Sequence, residues 1–152
     1  LHALRALLLL DTPPEERFDR IAAFAASEFN VPMAMVSLVD ENRQWFKAQV
    51  GLPFCETERD LSFCGHAIMA PATMVVTDAT RDPRFADNPL VTGEPHVRFY
   101  AGAPLRLATG EIVGTLCIMD TQPRQMDRVD LAILGALRAL VLEELQRREA
   151  AT

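Results

Sequence analysis

The chain has 152 residues, of which 49% are hydrophobic and 24% charged, a composition typical of a globular domain that excludes a disordered or fibrous chain. Its formal net charge of −6 argues against a nucleic-acid partner, and no apolar run approaches the ~20 residues that cross a bilayer. An odd count of three cysteines indicates reduced thiols in the cytoplasm rather than a secreted disulfide framework.

Two helices are predicted at the start of the chain. Residues 1–10 carry leucines at helical spacing and therefore predict one apolar stripe. Thr12, two prolines and Glu15 then favour the start of a second helix. The apolar face of that helix comprises Phe18, Ile21, Ala22, Ala25 and Phe29. Because the chain begins inside a predicted helix and without an initiator methionine, we interpret it as a module of a longer protein.

The middle of the chain predicts an antiparallel sheet. Apolar strands joined by turns form two predicted hairpins, over residues 33–50 and 98–120. Between them we predict a short helix over residues 62–70, a strand over 73–77 and a long loop over 78–95, which is rich in aspartate and proline. Parallel pairs would require helical crossovers, so we expect an α+β fold with a central antiparallel sheet of about five to six strands.

The last helix is predicted from about Met126 to about Glu149. Between Leu131 and Leu145 its apolar residues surround nearly the whole circumference, so one face should pack on the sheet and another needs a second partner. We expect a homodimer through the terminal helices, with packing of the two helices within one chain as the alternative. The candidate dimer residues are Leu4, Leu7, Leu8, Leu134, Leu137 and Val141. We expect one domain over residues 1–152, with 1–10 and about 140–152 as flanking connector helices.

Seven sequence blocks, in this order, resemble the GAF family of sensory domains. They are Leu10–Asp19, Ser37–Asp40 followed by Trp45-Phe46, Ser62–Ile68, Val76–Asp78, Asp82–Pro89, Arg98–Leu105 and Gly114–Asp120. The resemblance covers most of the chain and is to modules found beside diguanylate cyclase, histidine kinase and other bacterial signalling domains. It implies terminal helices on one face of the sheet and, on the other, a pocket roofed by the short helix and the long loop. It implies no particular ligand, because this fold hosts many.

The predicted pocket would be walled by residues of the short helix, the long loop and the strand that follows. The candidates are Phe63, Cys64, His66, Phe85, Arg98, Phe99 and Tyr100. The aromatic residues could hold a small planar ligand or could simply fill the cavity, and we favour the filled cavity. Arg98 could instead pair with an anionic ligand. The ligand, if there is one, is left open.

Cysteine chemistry is the main alternative to a sensory role. A related branch with this fold reduces free methionine-R-sulfoxide, which would use Cys64 with Cys55 as the resolving thiol. Cys117 does not fit that scheme, because it falls within an apolar strand, where a buried thiol has little thiolate character. A ligand-free dimerisation module is the third hypothesis.

Other known uses of this fold match the sequence poorly. Gly65 separates Cys64 from His66, so the adjacent cysteine–histidine pair of bilin-binding members is absent, and the signature of cyclic-nucleotide members is not found. The cysteines and histidines lack the spacing of a metal site, and the aspartates of residues 78–87 are expected to bind their own backbone. We therefore expect a non-catalytic sensory or regulatory module that passes a signal through its terminal helices to a covalently linked output domain.

Overall fold

The computed structural model describes residues 15–39, 43–51, 56–58, 63–69 and 72–151. The first predicted helix, with Leu4, Leu7 and Leu8, lies outside these residues, as does Cys55. In chain order the elements are α1 (Glu16–Phe29), β1 (Met33–Val39), β2 (Arg43–Val50), β3 (Glu56–Glu58), α2 (Phe63–Ala67), β4 (Met74–Val76), a 3-10 turn (Ala79–Arg81), α3 (Pro89–Thr92), β5 (Phe99–Arg106), β6 (Ile112–Asp120) and α4 (Arg128–Ala151).

Six strands form one antiparallel sheet in the order β3-β2-β1-β6-β5-β4. The two predicted hairpins are β1–β2 and β5–β6, and β1 pairs with β6 to join them at the centre. Side chains alternate between the two faces of each strand, so each face buries a separate apolar cluster. The prediction of an α+β fold with a central antiparallel sheet is confirmed.

Helix α1 packs on one face of the sheet, where β2, β1 and β6 contact it. Its buried side chains are the five that helical periodicity predicts: Phe18, Ile21, Ala22, Ala25 and Phe29. The helix ends at Asn30, which adopts the left-handed conformation with φ 51° and donates its N–H to the carbonyls of Ala26 and Ser27. Helix α1 therefore forms half of a layer that we call the helical layer.

Helix α4 forms the other half of the helical layer and contacts α1, β5 and β6. Leu134, Leu137, Val141 and Leu145 form its buried stripe, in the same apolar cluster as Phe18 and Phe29. The prediction that Leu134, Leu137 and Val141 make a dimer contact is therefore wrong for these three residues, because they fill the core of their own chain. Among the large apolar side chains that the structure describes in α4, Val129, Leu131 and Leu140 are exposed.

A chain of charges connects the sheet with both helices of the helical layer. The β1–β2 pairing skips Lys47, and this β-bulge aims the Lys47 ammonium towards α1. Although the Lys47 side chain is 0% exposed, its Nζ lies 2.6 Å from Glu15 Oε2. Arg17 then lies 3.2 Å from Glu15 Oε1 and 3.2 Å from Glu144 Oε2 of α4. The N-terminal end of α1 is thus tied to β2 and to the C-terminal half of α4.

Candidate functional site

The opposite face of the sheet is covered by α2 and by residues 78–97, which together we call the roof. Helix α2 packs on β5, β1 and β6, and residues 78–97 connect β4 to β5. The apolar residues shared between the roof and the sheet include Phe63 and Phe85 from the roof and Met35, Tyr100 and Cys117 from the strands. This arrangement places the predicted pocket region between α2 and β5.

Three aromatic rings are stacked at the centre of that region. The Phe63 ring lies 4.4 Å from the Phe85 ring and 5.0 Å from the Tyr100 ring, with interplanar angles of 21° in both pairs. All three rings are buried. A Cβ on Gly102, two residues after Tyr100 on the same face, would collide with Tyr100 Oη, so the glycine makes room for the tyrosine ring. The stack occupies the space in which a planar ligand would otherwise lie, as the filled-cavity hypothesis requires.

His66 lies at the outer edge of the aromatic stack. Its ring contacts the Phe85 ring edge-on, with centroids 4.8 Å apart, and its side chain is exposed. Arg84 covers the other part of Phe85, with its guanidinium carbon 5.1 Å from the ring centroid. His66 therefore borders the stack from the solvent side.

Arg98 holds the end of the roof to the sheet. Its Nη1 donates to the carbonyl oxygens of Val91, at 2.9 Å, and Val97, at 3.2 Å, while its main-chain N–H donates to Asp120 O. The guanidinium is thus engaged by backbone carbonyls of the roof. This contact makes Arg98 a structural residue and lessens the support for a role in binding an anionic ligand.

Phe99 does not lie at the predicted pocket. It belongs to the apolar cluster beneath α1 and α4, whereas its neighbour Tyr100 faces the roof. Consecutive side chains of a strand point to opposite faces, so the two residues could not both line one pocket. The prediction for Phe99 is therefore corrected.

Among the described residues, Cys117 is the one cysteine whose side chain is placed. Cys117 is fully buried in β6, as predicted, with its Sγ 3.8 Å from Met35 O and 3.9 Å from Ser37 Oγ. Cys64 is the second residue of α2, but its side chain lies outside the described residues. The thiol hypothesis for Cys64 and Cys55 therefore stays a prediction.

Acidic residues of the roof bind their own segment, as predicted. Asp78 Oδ1 accepts from the N–H and the hydroxyl of Thr80, and these bonds lower the pKa of Asp78. Asp82 forms a two-pronged contact with Arg84, at 3.0 and 2.7 Å, which lowers the pKa of Asp82 and raises that of Arg84. Within the described ranges, no group of three histidine, cysteine, aspartate or glutamate residues is placed to hold a metal ion.

Sequence reasoning missed two buried polar residues on the roof face. Ser37 of β1 and Thr115 of β6 pair directly across the central strands and are both fully buried. Buried hydroxyls require hydrogen-bond partners, so they fix the register of the sheet at this point. In the sequence, Ser37 and Thr115 each stand out as a polar residue inside an apolar strand.

The fold and the roofed face define a class of protein: an α+β domain whose antiparallel sheet carries helices on one face and a roof on the other. A family model described as "GAF domain" matches residues 13–143. The chain therefore belongs to the GAF domain family.

A curated relative and two solved structures support this placement. The chain is 46% identical over 138 residues to a cyclic di-GMP phosphodiesterase of Pseudomonas aeruginosa, a match covering 90% of this chain and 24% of the relative. A free methionine-R-sulfoxide reductase from Neisseria meningitidis aligns with a TM-score of 0.73 at 18% identity, covering 98% of this chain and 89% of the other. The GAF domain of an Acinetobacter phosphoenolpyruvate-protein phosphotransferase aligns with a TM-score of 0.71 at 17% identity, covering 97% and 92%.

The comparisons differ in what they establish. The two structural matches show the fold alone, because their sequence identity is low. The chain spans about a quarter of the length of the phosphodiesterase, so the shared part is the GAF portion of a larger signalling protein. In the described part of the chain, no helix has both the length and the apolar character needed to cross a membrane.

Proposed function

We propose that this chain is a non-catalytic regulatory domain of a larger cytoplasmic signalling protein, and that it controls an output domain through α4. The observation that carries the proposal is the match to about a quarter of a cyclic di-GMP phosphodiesterase, over a region that the GAF model accounts for. The output domain is then one that turns over a cyclic dinucleotide. This chain supplies regulation rather than the reacting groups.

Two features of the described residues support transmission of a signal through contacts between elements, which we call the relay, rather than a chemical reaction within the chain. The roof face is filled by the stack of Phe63, Phe85 and Tyr100, and its best-defined acidic residues are occupied by Thr80 and Arg84. Helix α4 is held to α1 near its C-terminal end by the Arg17–Glu144 ion pair. The two side chains are 30% and 19% exposed, so the pair is partly screened by solvent and contributes modestly to holding α4 at this end.

The relay is tested by breaking the contact between α1 and α4 in the full-length protein. Arg17→Ala removes the pair with Glu144 and should change the rate of cyclic di-GMP turnover several-fold. Arg20→Ala is the matched control, because Arg20 lies on the same helix in an exposed pair with Glu16. Equal rates for the two variants would contradict the relay.

A second assay separates the regulatory proposal from its enzymatic rival. The 152-residue chain alone should neither hydrolyse cyclic di-GMP nor reduce free methionine-R-sulfoxide in the presence of a thiol reductant. Thiol-dependent turnover that is lost in Cys64→Ser would establish the reductase instead. The 46% identity to the phosphodiesterase favours the regulatory domain.

Ligand sensing is tested by thermal shift against nucleotides, haem, bilins and amino acids. A ligand at one hundred times its Kd stabilises the folded state by about 2.7 kcal/mol. Because the aromatic stack fills the roof face, we expect no shift of this size. A clear shift with one compound would replace the relay by small-molecule sensing at this face.

The proposal includes a homodimer through the outer surface of the helical layer. Val129 and Leu140 are 65% and 47% exposed and lie eleven positions apart, close to three helical turns, so they share one side of α4. A second copy of the chain would cover them. Leu140→Glu should give a folded monomer by light scattering, whereas the control Gln146→Glu should not change the mass. A monomeric wild-type chain would refute the dimer.

A further inference from the structure

Arg124 contacts three separate parts of the fold from the segment that joins β6 to α4. Its main-chain N–H donates to Thr77 O at 3.1 Å, where β4 leads into the roof. Its Nη1 donates to Phe29 O at 2.6 Å and to Asn30 O at 3.4 Å, at the end of α1. Asp120 Oδ2, at the end of β6, lies 3.7 Å from the same nitrogen. One residue thus connects the roof, the sheet and the helical layer.

The end of α1 needs a cation that α1 itself does not supply. The C-terminal carbonyls of a helix carry partial negative charge, and a positive side chain there is stabilising. The last turn of α1, which the structure describes in full, contains no basic residue. Arg124 brings its guanidinium to these carbonyls from 94 or 95 positions along the chain. Such charge-assisted bonds are stronger than neutral ones.

Helix α4 begins at Arg128, a few residues after Arg124, and its start is capped by side chains. The N–H of Asp127 donates to Asp130 Oδ2 at 3.1 Å, and the N–H of Asp130 donates to Asp127 Oδ1 at 2.8 Å. These reciprocal bonds cap the start of α4 in the manner of a capping box. A displacement of Arg124 is therefore passed directly to a stiff helix end.

The segment around Arg124 has empty space on both sides. An open groove of about 720 Å³ lies towards the roof and is lined by Thr77, Asp78, Pro83, Pro123 and Arg124, among others. A cavity of about 280 Å³ lies towards the helical layer, between Phe29, Phe99, Ile118 and Arg124. Arg124 and Gln125 line both spaces. The two spaces flank the segment, so the bonds of Arg124 are among the contacts that hold it between the roof and the helical layer.

We propose that Arg124 is the coupling residue of this domain: it transmits displacements of the roof at Thr77 to the end of α1 and the start of α4. The inference rests on the proposed regulatory function and names the route by which the roof acts on the helical layer. Its main chain follows the roof, and its guanidinium carries the movement to α1. Loss of the side chain should uncouple the roof from the end of α1 while both remain folded.

The test is amide hydrogen exchange in the 152-residue chain, with Asp78→Ala as the perturbation of the roof. Removing the Asp78 carboxylate releases the Thr80 N–H and hydroxyl and loosens the first turn of the roof. With Arg124 present, exchange should rise about tenfold at residues 28–31 and 128–132, the scale set by one charged hydrogen bond. In the Arg124→Ala background, Asp78→Ala should no longer raise exchange at residues 28–31. The rise at 128–132 should persist, because the main-chain bond to Thr77 O and the chain that leads to α4 remain.

Two further variants keep the inference falsifiable. Arg128→Ala removes an exposed arginine from the start of α4 and should leave transmission intact. Arg124→Lys keeps a cation at the α1 carbonyls and should restore part of the transmission, which a merely structural role would not require. Arg124→Gln lacks the charge and should behave as Arg124→Ala, so it replaces that variant if it fails to fold.

The outcomes distinguish failure of the Arg124 coupling from failure of the proposed regulatory function. Transmission to residues 28–31 that persists without the Arg124 side chain, or that is absent when Arg124 is present, overturns the inference. Because this assay uses neither a ligand nor an output domain, such a failure leaves the proposed regulatory function standing. Failure of the Arg17→Ala assay on the full-length protein would contradict that function without touching the coupling measured here.

Discussion

The sheet carries a helical layer on one face and the roof on the other, and the two layers are stabilised in different ways. The helical layer consists of two long helices whose apolar stripes pack on the strands, and ion pairs connect these helices with each other and with Lys47 of β2. The roof consists of short elements that are capped by their own side chains and anchored by one aromatic stack. The helical layer should therefore unfold with the whole domain, whereas the roof can open alone.

The largest expected effect tests the anchor of the roof. Phe85→Ala removes the ring at one end of the stack and should lower the free energy of unfolding by about 3–5 kcal/mol. Phe24→Ala is the matched control: Phe24 is 53% exposed on α1, and its loss should change stability by no more than about 0.5 kcal/mol. Urea unfolding measures both. Similar values for the two variants would show that the stack does not hold the roof.

The next effect tests the core of the helical layer. Leu134→Ala removes a fully buried side chain and should cost about 2–5 kcal/mol of unfolding free energy. Leu140→Ala, on the exposed side of the same helix, should cost far less in the monomer. Hydrogen exchange adds the distinction between the layers: Leu134→Ala should speed exchange throughout the sheet, and Phe85→Ala mainly in the roof. A local effect of Leu134→Ala would contradict the comparison.

A smaller effect is expected where the helical layer uses charge. Lys47→Ala leaves the Glu15 carboxylate without its ammonium partner; since Glu15 is partly exposed, the loss should be about 1–3 kcal/mol, below that for a fully buried pair. Lys47→Met keeps most of the side-chain volume and should cost less. Chemical denaturation of both variants separates the charge from the packing of the lysine stem. Identical losses would show that the charge alone is responsible, whereas no loss in Lys47→Met would show that packing alone is responsible.

The smallest effect concerns Asp82, a carboxylate of the roof that pairs with Arg84. The side-chain bond with Arg84 lowers the pKa of Asp82 below its ordinary value of 3.8, so this carboxylate stabilises the fold at neutral pH and loses that effect as the pH falls through its folded pKa. Asp82→Asn should cost about 0.5–1 kcal/mol at neutral pH, because the pair is screened by solvent. Unfolding measured below the folded pKa should show no difference from wild type. A difference that persists in acid would rule out the ion pair as its cause.

Local patterns predicted the parts of the fold with strong periodicity. The apolar face of α1 and the two hairpins follow from spacing and turn residues, and they match the structure. Strand β3 was missed because Glu56–Glu58 is short and polar, and its place in the sheet comes from pairing with β2. The sequence predicts a long loop where the structure has helix α3, because the surrounding residues favour turns. Asn88 followed by Pro89 is nevertheless a good helix start.

The candidate site was predicted less well than the fold. Phe63, Phe85 and Tyr100 were grouped together correctly, whereas Phe99 was assigned to the wrong face for lack of a register for β5. The sequence places Arg98 next to the long loop. The structure adds that its guanidinium donates to the carbonyl oxygens of Val91 and Val97. Contacts between residues far apart in sequence leave no local pattern to read.

The sequence by itself determined the secondary structure with clear periodicity, the antiparallel α+β class and the family, because these depend on side-chain spacing and on the order of motifs along the chain. Tertiary structure alone decided which face each strand residue occupies, that Leu134, Leu137 and Val141 belong to the core, and that Arg124 meets both Thr77 and Phe29. Burial and hydrogen bonding are set by which surfaces pack together, and packing is a property of the whole chain rather than of any segment.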